Sequence, residues 1–341
     1  MKAVCIPAPG TIEIIDVAVP SPGPEDLLLE VHYVGLCGSD LGMYHGTFAI
    51  GSYPRIPGHE VSAVIMAKGE AVPDSLQEGD RVTLAPYSEC GICPACRTGR
   101  QNCCQYNQTL GLQRDGAMSN RFVTHYSRVT ASQQLSLKEL ALVEPLSVGY
   151  HAANRGRVTE TDSVLVLGCG TIGIGVVAAA VRKGATVIAV DIDDSKLAQA
   201  QRFGAHHAVN STRQDVMAAS SELTGGEGVS VAIEAVGLPE TFRLAVEAVA
   251  FAGRVVYVGY AKKDVCYDTN HFVRKELDIL GSRNALRVFP AVVKMMETGD
   301  SPFLELVTRV YPFEGAPRAF RDWDASPGNV TKILIDVATA S

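Results

Sequence analysis

The 341-residue sequence has one tryptophan, and aromatic residues make up only 6% of it. It has no basic excess: 30 Lys and Arg face 37 Asp and Glu, a formal charge of −7. That balance argues against a nucleic-acid footprint, which needs a basic face. No apolar run reaches the roughly 18 residues that a membrane span requires. The longest, Ile172 to Val181, is short and interrupted by glycine. The opening Met1-Lys2-Ala3-Val4-Cys5-Ile6-Pro7 lacks the apolar stretch and cleavage site of a signal peptide, so a cytoplasmic protein is expected. Hydrophobic residues at 47% against 20% charged exclude a mainly disordered chain. At ~150 residues per domain the length suggests about two domains.

What is present changes character near residue 150. Up to about residue 145, short apolar runs (Ala3–Ile6, Ile12–Val17, Leu27–Val34, Val61–Ala67, Arg81–Leu84) are split by Pro and Gly clusters and read as strands. Beyond it, strands and helices alternate: Ser163–Leu167, Thr186–Val190, Val229–Val236, Arg254–Val258 and Leu277–Leu280 as strands, with helices at Ile172–Lys183, Ser195–Phe203 and Pro239–Ala250. Near-continuous Val/Ile/Leu strands between helices imply a parallel sheet covered on both faces. The tail from 286 reads as a helix, Arg287–Thr298, and a closing strand, Lys332–Val337, packing back on the N-terminal region.

Gly168-Cys169-Gly170-Thr171-Ile172-Gly173 matches G-x-G-x-x-G, and it lies between a strand and a helix. The first Gly allows a tight turn, the second lets backbone approach a pyrophosphate, and the third lets helix and strand pack closely. The helix N-terminus offers free N–H groups to phosphates. Asp191, 23 positions after Gly168, closes the next strand. A carboxylate there suits the ribose hydroxyls of NAD and repels the 2′-phosphate of NADP; Lys196 is the first following cation. The cofactor contacts are assigned to Gly168, Gly170, Thr171, Ile172, Gly173, Asp191, Lys196, Val236, Gly237, Val258 and Gly259.

Five of the nine cysteines fall between positions 90 and 104. An odd count in a chain of this kind does not read as a disulfide framework. Cys90, Cys93, Cys96 and Cys104 can wrap one tetrahedral zinc, and all-thiolate ligation closes its shell, so this site is structural. Spacing leaves Cys103 as an alternative fourth ligand, and an iron–sulfur cluster as an alternative occupant. A second set is scattered: Cys37-Gly38-Ser39-Asp40, Gly58-His59-Glu60 and Glu144-Pro145. A thiolate, an imidazole and a carboxylate from distant segments are what an open catalytic zinc site uses.

These motifs, in this order, resemble the zinc-containing medium-chain dehydrogenase/reductase family nearly end to end. They are Gly35-Leu36-Cys37-Gly38-Ser39-Asp40, Pro57-Gly58-His59-Glu60, the cysteine lobe, Glu144-Pro145-Leu146-Ser147 and the glycine fingerprint. Glu-Pro-Leu-Ser looks like the polyol and sugar-acid branch: sorbitol, galactitol, threonine and galactonate dehydrogenases. Gly281-Ser282-Arg283-Asn284-Ala285 and Tyr53-Pro54-Arg55 look closest to hexonate dehydrogenases.

The resemblance implies an α/β chain with a GroES-like β-rich catalytic domain (residues 1–149, zinc lobe about 88–106), a Rossmann domain (150–285) and a C-terminal segment (286–341) returning to the first, with a cleft between the domains. It implies catalytic zinc on Cys37, His59 and Glu144 with Glu60 as neighbour or exchanging ligand, structural zinc on Cys90, Cys93, Cys96 and Cys104, and a homodimer or homotetramer. The implied reaction oxidises a secondary alcohol of a sugar acid with NAD, or else of a neutral polyol or threonine. A non-catalytic NAD-binding protein is the remote alternative. Ser39 takes the alcohol proton. Relatives often carry a His three positions after that Ser, where this chain has Gly42, which leaves His45, three further on, or water to complete the relay. Arg283, with Asn284 and Arg55, is expected to meet the substrate carboxylate.

Overall fold

The computed structural model describes residues 1–48 and 51–339. The chain divides into two compact units: Met1–Glu144 with Phe289–Thr298 and Phe303–Ser341, and Pro145–Val288 with Gly299–Pro302. The change of unit falls at Glu144, five residues before the 149 expected from the sequence.

The first unit is built on a sheet in the order Val307–Pro312, Lys332–Asp336, Asp26–Gly35, Glu60–Lys68, Arg81–Leu84, Val129–Ala131. Arg121–His125 also pairs with Asp26–Gly35. A separate hairpin joins Lys2–Cys5 to Glu13–Asp16. The long strand Asp26–Gly35 organises this unit. One edge pairs with Glu60–Lys68, and the other with Arg121–His125 along its first half and Lys332–Asp336 at its end. Its buried Leu27, Leu29, Val31 and Val34 join Ile65, Val82, Ile333, Ile335, Phe313 and Phe320 in one core.

The second unit is an all-parallel six-stranded sheet in the order His207–Asn210, Thr186–Asp191, Ser163–Leu167, Val229–Glu234, Val249–Tyr257, Asp278–Gly281. Numbered along this unit, that order is the doubly wound dinucleotide-binding arrangement, whose chain reversal lies between the first and fourth strands. The central strands are apolar and fully covered; Val164, Leu165, Val166, Val231, Ala232 and Ile233 have 0% exposure. Side-chain caps start two of the helices: Asp193 accepts from Ser195 N, and Asp215 accepts from Met217 N and Ala218 N.

Four strands escape the sequence pattern: Arg121–His125, Val129–Ala131, His207–Asn210 and Val307–Pro312. Each carries polar residues and lies at or near a sheet margin, where a strand needs no continuous apolar run. Among the described residues no helix is long and apolar enough to cross a membrane.

Candidate active site and metal centres

The sheet of the first unit delivers the scattered motifs to one place. Gly35, the last residue of Asp26–Gly35, sits opposite Glu60, the first residue of Glu60–Lys68. The chain leaving one strand therefore presents Cys37 beside His59 and Glu60 entering the other. Possible ligand atoms of Cys37, His59 and Glu60 all lie within 4.8 Å of one another. His59 and Glu60 are 4% and 1% exposed.

Each member has a partner behind it. Asp40, wholly buried, accepts from Cys37 N at 2.9 Å with one oxygen and turns the other toward His59 Nδ1 at 3.6 Å. At 3.6 Å this is an ion-pair approach, longer than a hydrogen bond. Lys332 donates to both oxygens of Glu60 at 2.6 Å. Glu144, in the first turn of the helix Val143–Arg155, accepts from the Tyr87 hydroxyl. Glu144 is not one of the three tightly grouped donors, but its charge acts on His59, Glu60 and Lys332. Asp40, Tyr87 and Lys332 are the site residues that sequence reasoning missed.

Burial and charge oppose each other here. Burial pushes the Glu60 carboxyl up to about 7 against the pull of Lys332. For Lys332, burial acts downward, but attraction to Glu60 prevails and raises its pKa. For His59, burial is likewise outweighed by Asp40, Cys37 and Glu144. Burial, then Glu144, hold the Tyr87 phenol well above its ordinary range, so it acts as a neutral donor. A half-buried thiol beside a buried imidazole and buried carboxylates, with His59 Nδ1 and Asp40 Oδ1 lacking hydrogen-bond partners, forms a donor set that fits zinc.

Ser39 lies in the first turn of the helix Gly38–Tyr44, two residues beyond Cys37. His45 ends that helix, where Nε2 pairs with Asp324 at 3.0 Å. About 10 Å of helix separates it from the ligand end, and the relay role expected of it is corrected accordingly. Arg55 is also redirected: it donates to Asp115 at 2.8 Å and Ser52 at 2.6 Å, a structural clamp rather than a carboxylate receptor. Arg283 is exposed and Asn284 partly buried, after the strand Asp278–Gly281 of the second unit.

The four lobe cysteines, Cys90, Cys93, Cys96 and Cys104, have sulfurs within 4.8 Å of one another. Backbone N–H groups point at the sulfurs: Cys90 N and Tyr106 N at Cys104, Cys93 N at Cys90. Backbone donors from Cys96 and Gln105 lower the Cys93 thiol to about 6, so it readily supplies a thiolate. Cys103 lies outside the group and receives Arg100 instead.

In the second unit, Gly168 has φ +93°, and a Cβ on Gly173 would sit 1.8 Å from the Gly168 carbonyl oxygen. A Cβ on Gly170 would meet nothing within 4 Å. The helix Thr171–Arg182 begins there without a side-chain cap. This arrangement fits a dinucleotide pyrophosphate. Asp191 accepts from Cys169 N at 2.8 Å with one oxygen and from Ile192 N and Asp193 N with the other. It thus fixes the glycine loop and keeps about one of its roughly four lone-pair sites, on the oxygen that faces Cys169 N, for a ribose hydroxyl. Val236 packs at Gly168, where a Cβ would lie 2.7 Å from it. Glu234, unnoticed in the sequence, accepts from Val236 N, Gly237 N and Thr241 Oγ1. Its carbonyl accepts from Val258 N and Gly259 N, which gathers the expected cofactor-facing loops.

Residues 23–134 match the family described as Alcohol dehydrogenase GroES-like domain, and residues 171–298 that described as Zinc-binding dehydrogenase. An uncharacterized zinc-type alcohol dehydrogenase-like protein of Haemophilus influenzae is 33% identical over 335 residues, covering 98% of each chain. The chain belongs to the zinc-type alcohol dehydrogenase family. Sorbitol dehydrogenase of Bacillus subtilis is 34% identical to this dehydrogenase, over 92% of this chain and 91% of that one. L-Galactonate-5-dehydrogenase of Escherichia coli is 30% identical, over 86% and 87%. An alcohol dehydrogenase of Escherichia coli CFT073, solved with NADH, superposes with a TM-score of 0.91 at 28% identity, over 98% and 99% of the two chains.

Proposed function

We propose that the protein oxidises a secondary hydroxyl of a sugar acid of the hexonate type and transfers hydride to NAD⁺, reversibly. The observation that carries the oxidoreductase reading is the close group of half-buried Cys37 with buried His59 and Glu60, near the buried Glu144. In this reading Cys37, His59 and Glu144 hold zinc, with Glu60 adjacent. When bound, zinc supplies the Lewis acidity that lowers the pKa of the substrate hydroxyl. Ser39 accepts the proton of that hydroxyl and passes it to water, because His45 is engaged with Asp324. The Gly168–Gly173 loop and Asp191 would hold the dinucleotide, which would supply the hydride acceptor. One secondary alcohol and one NAD⁺ yield one ketone, one NADH and one proton.

The hexonate choice is supported by likeness to L-galactonate-5-dehydrogenase and by Arg283 as an exposed guanidinium of the type that binds a carboxylate. A neutral hexitol is the second reading, favoured by the 34% identity to a sorbitol dehydrogenase. NADH formation by zinc-loaded protein, across hexonates, hexitols, pentitols and threonine with NAD⁺ or NADP⁺, separates the two. Activity on hexonates that falls in Arg283→Ala, without loss on hexitols, supports the sugar acid. Activity on hexitols alone overturns it.

A further inference from the structure

Glu234 ends the strand Val229–Glu234 at a position that a glutamate rarely takes. The strand is otherwise Val, Ser, Val, Ala and Ile, and Glu234 is 0% exposed. Burying a carboxylate is costly unless donors surround it. Here the donors are all on one side. Oε1 accepts from Val236 N at 2.8 Å, Gly237 N at 2.7 Å and Thr241 Oγ1 at 2.8 Å. Oε2 has no hydrogen-bond partner among the described residues. A side chain kept only to stabilise the sheet would be apolar, since an apolar residue fills such a position without that cost.

What the three bonds hold is a loop. Val236 and Gly237 follow the strand, and Thr241 lies in the first turn of the helix Pro239–Ala248. The backbone oxygen of Glu234 meanwhile accepts from Val258 N at 2.9 Å and Gly259 N at 3.2 Å, which follow the strand Val249–Tyr257. One residue therefore fixes two loops that leave neighbouring parallel strands at the same end of the sheet. The loops are pressed together closely enough to need glycine in both. A Cβ on Gly259 would lie 2.5 Å from Glu234 Oε2 and from Gly237 N. One on Gly237, whose φ is +91°, would lie 2.9 Å from Tyr260 O. The pinned Val236 is 45% exposed and stands against Gly168, the first glycine of the fingerprint.

In the doubly wound arrangement each half of the sheet takes one mononucleotide. Asp191 ends the second strand of this unit and belongs to the adenosine half. The fourth and fifth strands, Val229–Glu234 and Val249–Tyr257, therefore serve the nicotinamide half. Hydride transfer is sensitive to misplacement of the reacting atoms by about 1 Å. Hydrogen bonds to a charged acceptor are shorter and stronger than neutral ones, which suits a loop held to that tolerance. We propose that Glu234 is a positioning residue for the nicotinamide half of the cofactor, acting through the loops 236–238 and 258–260, with no part in holding the adenosine half. This rests on reading the second unit as the NAD site.

The test compares the binding of two ligands. NADH is titrated by its fluorescence. ADP, which carries the adenosine half and both phosphates but lacks the nicotinamide half, is titrated by calorimetry. In Glu234→Ala, NADH affinity should fall about ten- to hundredfold, the worth of a hydrogen bond to a charged acceptor, while ADP affinity stays within about twofold of the parent. At saturating NADH the emission of the variant complex should move toward that of free NADH. Thr241→Val removes one of the three donors and leaves the carboxylate in place. It should weaken NADH about two- to tenfold, the range for an ordinary hydrogen bond, again without effect on ADP, and it keeps the test decisive should Glu234→Ala fail to fold. Unchanged NADH affinity in the folded variant, or an equal loss for NADH and ADP, overturns the proposal, because a pin that serves only the sheet would give one or the other. A parent that binds ADP but not NADH refutes the dinucleotide reading, and the proposal falls with it.

Discussion

Tyr87→Phe removes one oxygen atom and leaves the ring in place. The lost hydroxyl is the donor to Glu144, and both residues are buried, at 8% and 4% exposure. A hydrogen bond to a charged acceptor contributes about 1.5–3 kcal/mol. At about 1.4 kcal/mol per factor of ten, that is a ten- to hundredfold change in any equilibrium that uses Glu144 where it now stands. With Glu144 as a zinc ligand, the affinity of the catalytic site for zinc should weaken by that factor. The assay is competition with a chromophoric chelator, which resolves the weaker site from the four-thiolate lobe. Stripped of zinc, the variant should also lose about 1–3 kcal/mol of stability, because a buried carboxylate is left short of a donor. Lowered stability with unchanged zinc affinity would show that the bond serves folding and that Glu144 does not hold the metal.

Cys104→Ser should cost the protein one of its two zinc ions and much of its lobe stability, whereas Cys103→Ser should leave the metal content unchanged; elemental analysis of both decides between the neighbouring thiols. Asp191→Ala should raise KM for NAD⁺ and narrow the preference over NADP⁺, because it removes both the ribose acceptor and the anchor on Cys169 N. With zinc removed, Glu60 binds its proton more tightly folded, at about 7, than unfolded, at 4.5. Its contribution to stability is complete below the unfolded value and is lost as pH rises through about 7. At 1.36 kcal/mol per unit the loss is at most about 3 kcal/mol. The parent minus Glu60→Gln difference in Tm should fall across that window, and a rise would refute the burial argument.

The parallel sheet was legible because its strands are buried on both faces, and such strands must be written in Val, Ile and Leu. The glycine fingerprint and the cysteine lobe were legible for a related reason: close backbone approach and metal ligation each tolerate few residue types at a fixed spacing. The supporting shell of the site was not. Tyr87 lies 57 residues from Glu144, and Lys332 lies 272 from Glu60. In sequence, Lys332 reads as the polar start of a strand and Tyr87 as one ring in a loop. Only the pairing of Lys332–Asp336 with Asp26–Gly35 turns that lysine into a neighbour of Glu60. His45 and Arg55 misled for the converse reason. Each lies near the ligand motifs along the chain, but each finds an acid elsewhere in the fold, Asp324 and Asp115.

The central claim is that metal held at Cys37 and His59 drives alcohol oxidation by NAD⁺. The most direct measurement compares NADH formation from hexonates and hexitols by the zinc-loaded parent and by Cys37→Ser, each with its zinc content determined. The account requires an active parent with both zinc ions, and a folded variant that keeps the lobe zinc and forms no NADH. Equal rates from the two proteins would contradict it.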